Sequence, residues 1–125
     1  MTAKFLTLND ITAYTVSFKL SNEIWEIVLK WSHIAQITVG AQLIRSIDSI
    51  SANLAEGFGR FHKKDKEKFY YNSRGSVYES LDWIEKSKSR DLITKSQYES
   101  IMGILKELPR EINYLIKYTE EHLTI

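Results

Sequence analysis

Apolar side chains recur along this chain at three- and four-residue steps, the period of an amphipathic helix. Four stretches carry the pattern. The first, about residues 9–32, brings Ile11, Tyr14, Phe18, Trp25, Val28 and Trp31 to one face. Asn9 or Asp10 is its expected N-cap, and Ser21-Asn22 in its middle is an expected point of fraying or bending. Residues 32–38 lose the polar–apolar order and read as a connection. The second stretch, about residues 39–58, repeats Leu43, Ile47, Ile50, Leu54 and Phe58. Gly57 and Gly59 stand where its C-cap would fall. The polar, basic residues 60–65 predict a turn. In the third stretch, about residues 65–89, the inward candidates are Phe69, Ser73, Ser76, Leu81 and Ile84, flanked by Tyr70, Val77, Ser80 and Trp83. Ser73, Gly75 and Ser76 interrupt that stripe, and residues this small let a neighbouring helix come close. The fourth stretch opens on the capping-box pattern Thr94-Lys95-Ser96-Gln97. Tyr98, Ile101, Met102, Leu105, Leu108, Ile112, Leu115 and Thr119 follow in a nearly heptad stripe. Pro109 lies inside it. An interior proline costs about 3 kcal/mol, which predicts a bend near Leu105 rather than a new element.

Four such helices of roughly 20–28 residues, joined by loops of roughly four to seven, predict an all-α fold: an antiparallel up-down-up-down four-helix bundle. A single domain spans residues 1–125. One Pro and five Gly in 125 residues agree with few long elements and short connections.

Composition narrows the function mainly by exclusion. A chain of this length buries enough surface to fold without a staple. It has no Cys, which removes disulfides, a thiol nucleophile and thiolate metal sites. No run of 18 apolar residues is present to span a bilayer. Residues 1–9 lack the basic segment and long apolar stretch of a signal peptide, Lys4 standing alone, so the expected location is the cytoplasm. A di-iron bundle site needs Glu-x-x-His pairs. The residues three before His33, His62 and His122 are Lys30, Gly59 and Thr119, so that motif is absent. Gly57-Phe58-Gly59 does not extend to a dinucleotide fingerprint, because position 62 is His62. Ser73 to Ser76 lacks a nucleophile context. A metal-assisted hydrolase using Glu56 or Glu79 is the weakest reading. No catalytic residue, metal ligand or cofactor is expected.

Two polar groups call for explanation. Asn53 and Glu56 are three apart on the second helix, and Ser76 and Glu79 three apart on the third, with Arg74 and Gly75 just before. Antiparallel packing around the turn would bring Arg74 within reach of Glu56 or Glu79. The leading expectation is a buried charge clamp that fixes helix register, with a ligand or nucleic-acid contact and then a catalytic role as the alternatives. The second group is Arg60, Lys63, Lys64, Lys66 and Lys68, interleaved with Phe58, Phe61, Phe69, Tyr70 and Tyr71. Cations beside aromatic rings suit phosphates and unpaired bases, while lysines at a turn are commonly just solvated. The formal net charge of +1 hides this bias: residues 60–90 carry nine basic and five acidic side chains, and the remainder eight and eleven.

Gln42-Leu43-Ile44-Arg45, then Ser49-Ile50-Ser51-Ala52-Asn53-Leu54-Ala55-Glu56-Gly57-Phe58-Gly59-Arg60, resembles the signature of the four-helix-bundle proteins encoded in 23S rRNA intervening sequences. Phe69 followed by Arg74-Gly75-Ser76-Val77-Tyr78-Glu79 is similar to that family's second motif. The resemblance runs over roughly residues 9–118. It implies a left-handed antiparallel bundle assembled as a homopentamer. It also implies kinship with the accessory subunit of diversity-generating retroelements, which works with a reverse transcriptase and RNA. Asn53, Glu56, Gly57, Arg74, Gly75, Ser76 and Glu79 carry over as motif positions without catalysis. The chain departs from the pattern in residues 32–38, which lack the family's Pro and acidic residue, and at Asp48, where the family prefers an apolar residue.

Two readings of function follow. One is a non-enzymatic homo-oligomeric module that binds RNA or a nucleoprotein partner, such as a reverse-transcriptase-like protein. The other is a protein-binding scaffold with no nucleic-acid contact, in which Trp25, Trp31 or Trp83 supplies the oligomer surface.

Overall fold

The computed structural model describes residues 6–123; Lys4, named above, lies outside them. Four long helices make the fold: α1 (Thr12–Leu29), α2 (Ala41–Gly59), α3 (Lys63–Ser89) and α4 (Lys95–His122). Each packs on its neighbours in chain order, and α4 closes back on α1, so the four stand at the corners of a square in up-down-up-down order. The core runs along the middle. Leu20, Ile24, Leu43, Ile47, Ile50, Leu54, Tyr70, Val77, Ile84, Leu105, Leu108 and Ile112 are fully buried within it. Burying a large apolar side chain stabilises by roughly 1.5–3 kcal/mol.

The second and fourth stripes lie where the periodicity puts them. Leu43, Ile47, Ile50 and Leu54 face inward on α2, and Ile101 through Thr119 on α4. The capping box opens α4: Gln97 N donates to Thr94 Oγ1 at 3.0 Å, and Thr94 N to Gln97 Oε1 at 2.9 Å. Pro109 sits inside a continuous helix.

The first stripe is different. α1 buries Ala13, Ser17, Leu20, Ser21, Ile24 and Val28, while Phe18 and Trp25 point outward, each about half exposed. Two serines reach the core because each satisfies its hydroxyl on its own helix. Ser17 Oγ donates to Tyr14 O at 3.1 Å and Ser21 Oγ to Phe18 O at 2.7 Å. Ser21-Asn22 is therefore no bend, and α1 runs through it. Its N-cap is Ile11, with Asp10 spent in a short 3-10 turn, Leu8–Asp10, where Thr7 N donates to Asp10 Oδ2 at 2.7 Å.

The first connection is also helical rather than loose. Ser32 caps a single turn, His33–Ala35, which passes through a π-helical turn, Gln36–Gly40, directly into α2. Gln36 Nε2 donates to Val28 O at 3.1 Å and Leu29 O at 3.0 Å, satisfying carbonyls at the end of α1. The close approach requires Gly40, since a Cβ there would stand 2.8 Å from Val28 Cγ1. α3 begins at Lys63, so the α2–α3 turn is only residues 60–62. α3 buries Tyr70, Ser73, Val77, Ser80, Ile84 and Ser87; of the five expected inward residues, Phe69, Ser76 and Leu81 are not among them.

Candidate nucleic-acid interface

α2 ends where its last carbonyls have no intrahelical donor. Lys66, one turn into α3, reaches back and donates from Nζ to Phe58 O at 2.6 Å and Gly57 O at 3.5 Å. A cation is favourable at this negative end of the helix dipole. Burial pulls the Lys66 pKa below its ordinary value. Arg60 lies over the Phe69 ring, 4.7 Å from its centroid, and pairs with Glu56 at 3.5 Å. Lys68 Nζ is 6.0 Å from the same centroid, and Lys66 Nζ 5.4 Å from that of Phe58. Lys63 Nζ donates to Leu123 O at 3.4 Å. Lys64 is exposed. Among the described residues, no carboxylate lies within ion-pair distance of Lys63, Lys64, Lys66 or Lys68. The five sequence-predicted cations thus lie at the α2–α3 end of the bundle, with Arg60 and Lys68 beside Phe69 and Lys66 beside Phe58. A cleft of about 380 Å³ opens beside them, lined in part by Phe58, Lys66, Tyr70, Thr119 and His122. Within it the Tyr70 hydroxyl has its pKa pushed up to about 12 by burial, against a smaller opposite effect from Thr119.

The motif residues do not form the expected clamp. Arg74 faces α4 rather than α2. Its Nη1 donates to Asn113 Oδ1 at 2.6 Å, and its guanidinium lies 4.7 Å from the Tyr71 ring centroid. Glu56 is half exposed and paired with Arg60, the residue that ends α2. Glu79 is exposed. Asn53 Nδ2 donates to Ser49 O at 2.8 Å, and Ser76 Oγ to Asn72 O at 3.2 Å, both within their own helices. The physical reason is the azimuth of α3: position 73, not 74, faces α2. Ser73 Oγ donates to Ile50 O at 2.7 Å, and Ser80 Oγ to Ser46 Oγ at 3.0 Å. Three buried serines therefore hold the α2–α3 register. Their smallness was visible in the sequence, and their hydrogen bonds were not. Gly57 is the motif position with a clear packing role. A Cβ on it would come within 2.6 Å of Tyr70 Cε1 and 3.0 Å of Lys66 O. Asp48 lies on the outer side of α2, its carboxyl pKa raised by partial burial.

Among the described residues, no group of three or more His, Asp or Glu side chains is placed to hold a metal ion. None of the helices is long and apolar enough to cross a membrane.

A protein from the S23 ribosomal protein family of Bacteroides thetaiotaomicron, described as of unknown function, has a similar solved structure. The TM-score is 0.79 at 21% identity, over 89% of this chain and 99% of that one, which is a likeness of fold. No curated protein matches. The model of the 23S rRNA-intervening sequence protein family matches residues 9–114. With most of its length matched, and with the four-helix bundle described above, the chain belongs to the 23S rRNA-intervening sequence protein family.

Proposed function

We propose that this protein is a non-catalytic, homo-oligomeric helical module of the cytoplasm that binds RNA, or a nucleoprotein containing it, through the α2–α3 end of the bundle. One observation carries the reading: Lys63, Lys64, Lys66 and Lys68 follow one another at the start of α3, Lys66 lies beside the Phe58 ring and Lys68 beside the Phe69 ring, and none of the four has a carboxylate partner among the described residues. The α2 carbonyls offset Lys66, but the neighbouring lysines lack a carboxylate partner and repel one another, so a polyanion would relieve the cluster. Assembly is supported by the large apolar side chains left exposed on α1 and the first connection, namely Phe18, Trp25, Leu29, Ile34 and Ile37. A pentamer is the state that the family resemblance implies. Fluorescence anisotropy with a labelled RNA, combined with light scattering, tests both parts. The expected result is salt-sensitive binding by a species several times the 14.6 kDa chain mass. A monomer at working concentration would remove the oligomer, and absence of binding at low salt would remove the RNA.

The same exposed apolar set favours a second reading, a protein-binding scaffold without nucleic acid. Oligomerisation with no RNA affinity would select it.

A further inference from the structure

Gly75 sits in the middle of α3, and nothing lies within 4 Å of where its Cβ would be. A glycine inside a helix is unfavourable relative to alanine. Gly40 and Gly57 are required by close neighbours, but no neighbour within the chain requires Gly75. Lys64, Lys68, Tyr71, Gly75 and Tyr78 follow one another at steps of four, three, four and three, which places them on one stripe of the helix. Tyr71 is 48% exposed and Tyr78 60%. The stripe is therefore a shallow shelf, with bare backbone between two phenol rings. Tyr71 is steadied by Arg74, whose guanidinium lies over the ring and is held by Asn113. Lys64 and Lys68 supply unpaired positive charge at one end. Beyond Tyr78 stand the exposed Glu79 and then Asp82, which is paired with Lys86 at 2.6 Å. From Lys64 to Tyr78 the shelf spans about 21 Å along the helix.

We infer that this shelf seats single-stranded RNA, with an unpaired base held between Tyr71 and Tyr78 over Gly75 and the flanking phosphates on Lys64 and Lys68. The inference rests on the RNA-binding reading above and adds the requirement that the strand be single. In a duplex the base faces are already stacked and offer nothing to the phenol rings. The missing Cβ lets a flat base reach the backbone, and the neighbouring cations match its phosphates. A helix of a second copy could also approach a bare glycine, but an apolar helix would leave Lys64 and Lys68 uncompensated.

The experiment measures affinity for a fluorescein-labelled, unstructured 12-nucleotide RNA and for a 12-base-pair RNA duplex, with light scattering of each variant alone. The wild type is expected to prefer the single strand. Tyr71→Leu and Tyr78→Leu each weaken single-strand binding roughly 5- to 100-fold and leave duplex binding unchanged. Tyr71→Phe keeps the ring and binds like the wild type. Gly75→Gln weakens single-strand binding, whereas Gly103→Gln, at an equally open glycine on α4, does not. If the tyrosine and Gly75 variants bind normally while Lys63→Gln/Lys64→Gln loses affinity, the shelf is wrong and the RNA reading stands. If the wild type binds no RNA at low salt, the RNA reading fails and the shelf fails with it. A drop in assembly mass for Tyr71→Leu or Gly75→Gln without RNA would assign this face to a second copy and overturn the shelf.

Discussion

Gly57→Ala adds one methyl group at a close contact between α2 and α3. The new carbon would sit 2.6 Å from Tyr70 Cε1, 2.9 Å from Tyr70 Cδ1 and 3.0 Å from the Lys66 carbonyl. Contact distance between carbons is about 3.5–4.0 Å, so roughly 1 Å must be found. Tyr70 lines the cleft on one side but is only 2% exposed, so any shift of its ring disturbs the core packed against it. The Lys66 carbonyl is backbone and cannot move without α3. Overpacking of this kind costs about 1–3 kcal/mol. Alanine returns up to about 1 kcal/mol of helix propensity, leaving a net loss centred on about 1 kcal/mol within a range of roughly 0–2. The same substitution at Gly75 meets nothing within 4 Å and keeps the whole propensity gain. Urea titrations at fixed protein concentration should therefore move the two midpoints in opposite directions, Gly57→Ala down and Gly75→Ala up. A Gly57→Ala protein as stable as the wild type would refute the reading of Gly57 as a packing requirement.

Other substitutions probe the register and the buried hydroxyls. Arg74→Ala should cost no more than about 1 kcal/mol in urea unfolding, because its partner Asn113 is neutral and the contact is exposed; a loss of several kcal/mol would restore the buried charge clamp. Ser73→Ala removes the 2.7 Å bond to Ile50 O and should cost about 0.5–1.5 kcal/mol, with an unchanged midpoint counting against the serine register. Tyr70 should make the fold alkali-sensitive. Its folded pKa of about 12 exceeds the ordinary value of 10.0, so its contribution is intact below pH 10 and falls as pH rises toward 12. The loss is about 1.4 kcal/mol per unit in that window, read as a steeper decline of the urea midpoint in wild type than in Tyr70→Phe.

Sequence periodicity located the bundle because α2 and α4 present one apolar stripe each against polar remainders. It misplaced the inner face of α1, where the largest side chains, Phe18 and Trp25, lie outside and Ser17 and Ser21 lie inside. Size ranks hydrophobic burial only when a helix has room for it, and a close crossing favours small residues whose hydroxyls are satisfied locally. The same cause hid the Ser46–Ser80 and Ser73–Ile50 contacts and suggested a charge pair between Glu56 and Arg74. A shift of one residue on α3 is about 100° of azimuth, enough to send Arg74 to α4. The first connection was misread because a π-helical turn has no periodic signature of its own. The basic segment Arg60, Lys63, Lys64, Lys66 and Lys68 was legible as a run of charge, but not its layout, since the four lysines lie on the first two turns of α3 and fan out by about 100° per residue. The role of Lys66 as a cap on α2 was not, because it depends on backbone atoms eight and nine residues away.

RNA affinity measured from 25 to 200 mM salt speaks most directly to the proposed function. Three to five phosphate contacts by the turn lysines and Arg60 predict a linear fall of log K with log salt, with a slope of roughly −2 to −3.5 for a single strand. Substituting Lys63 and Lys64 should flatten that slope by about one unit or more. Absence of binding at the lowest salt, or binding that salt leaves unchanged, would contradict it.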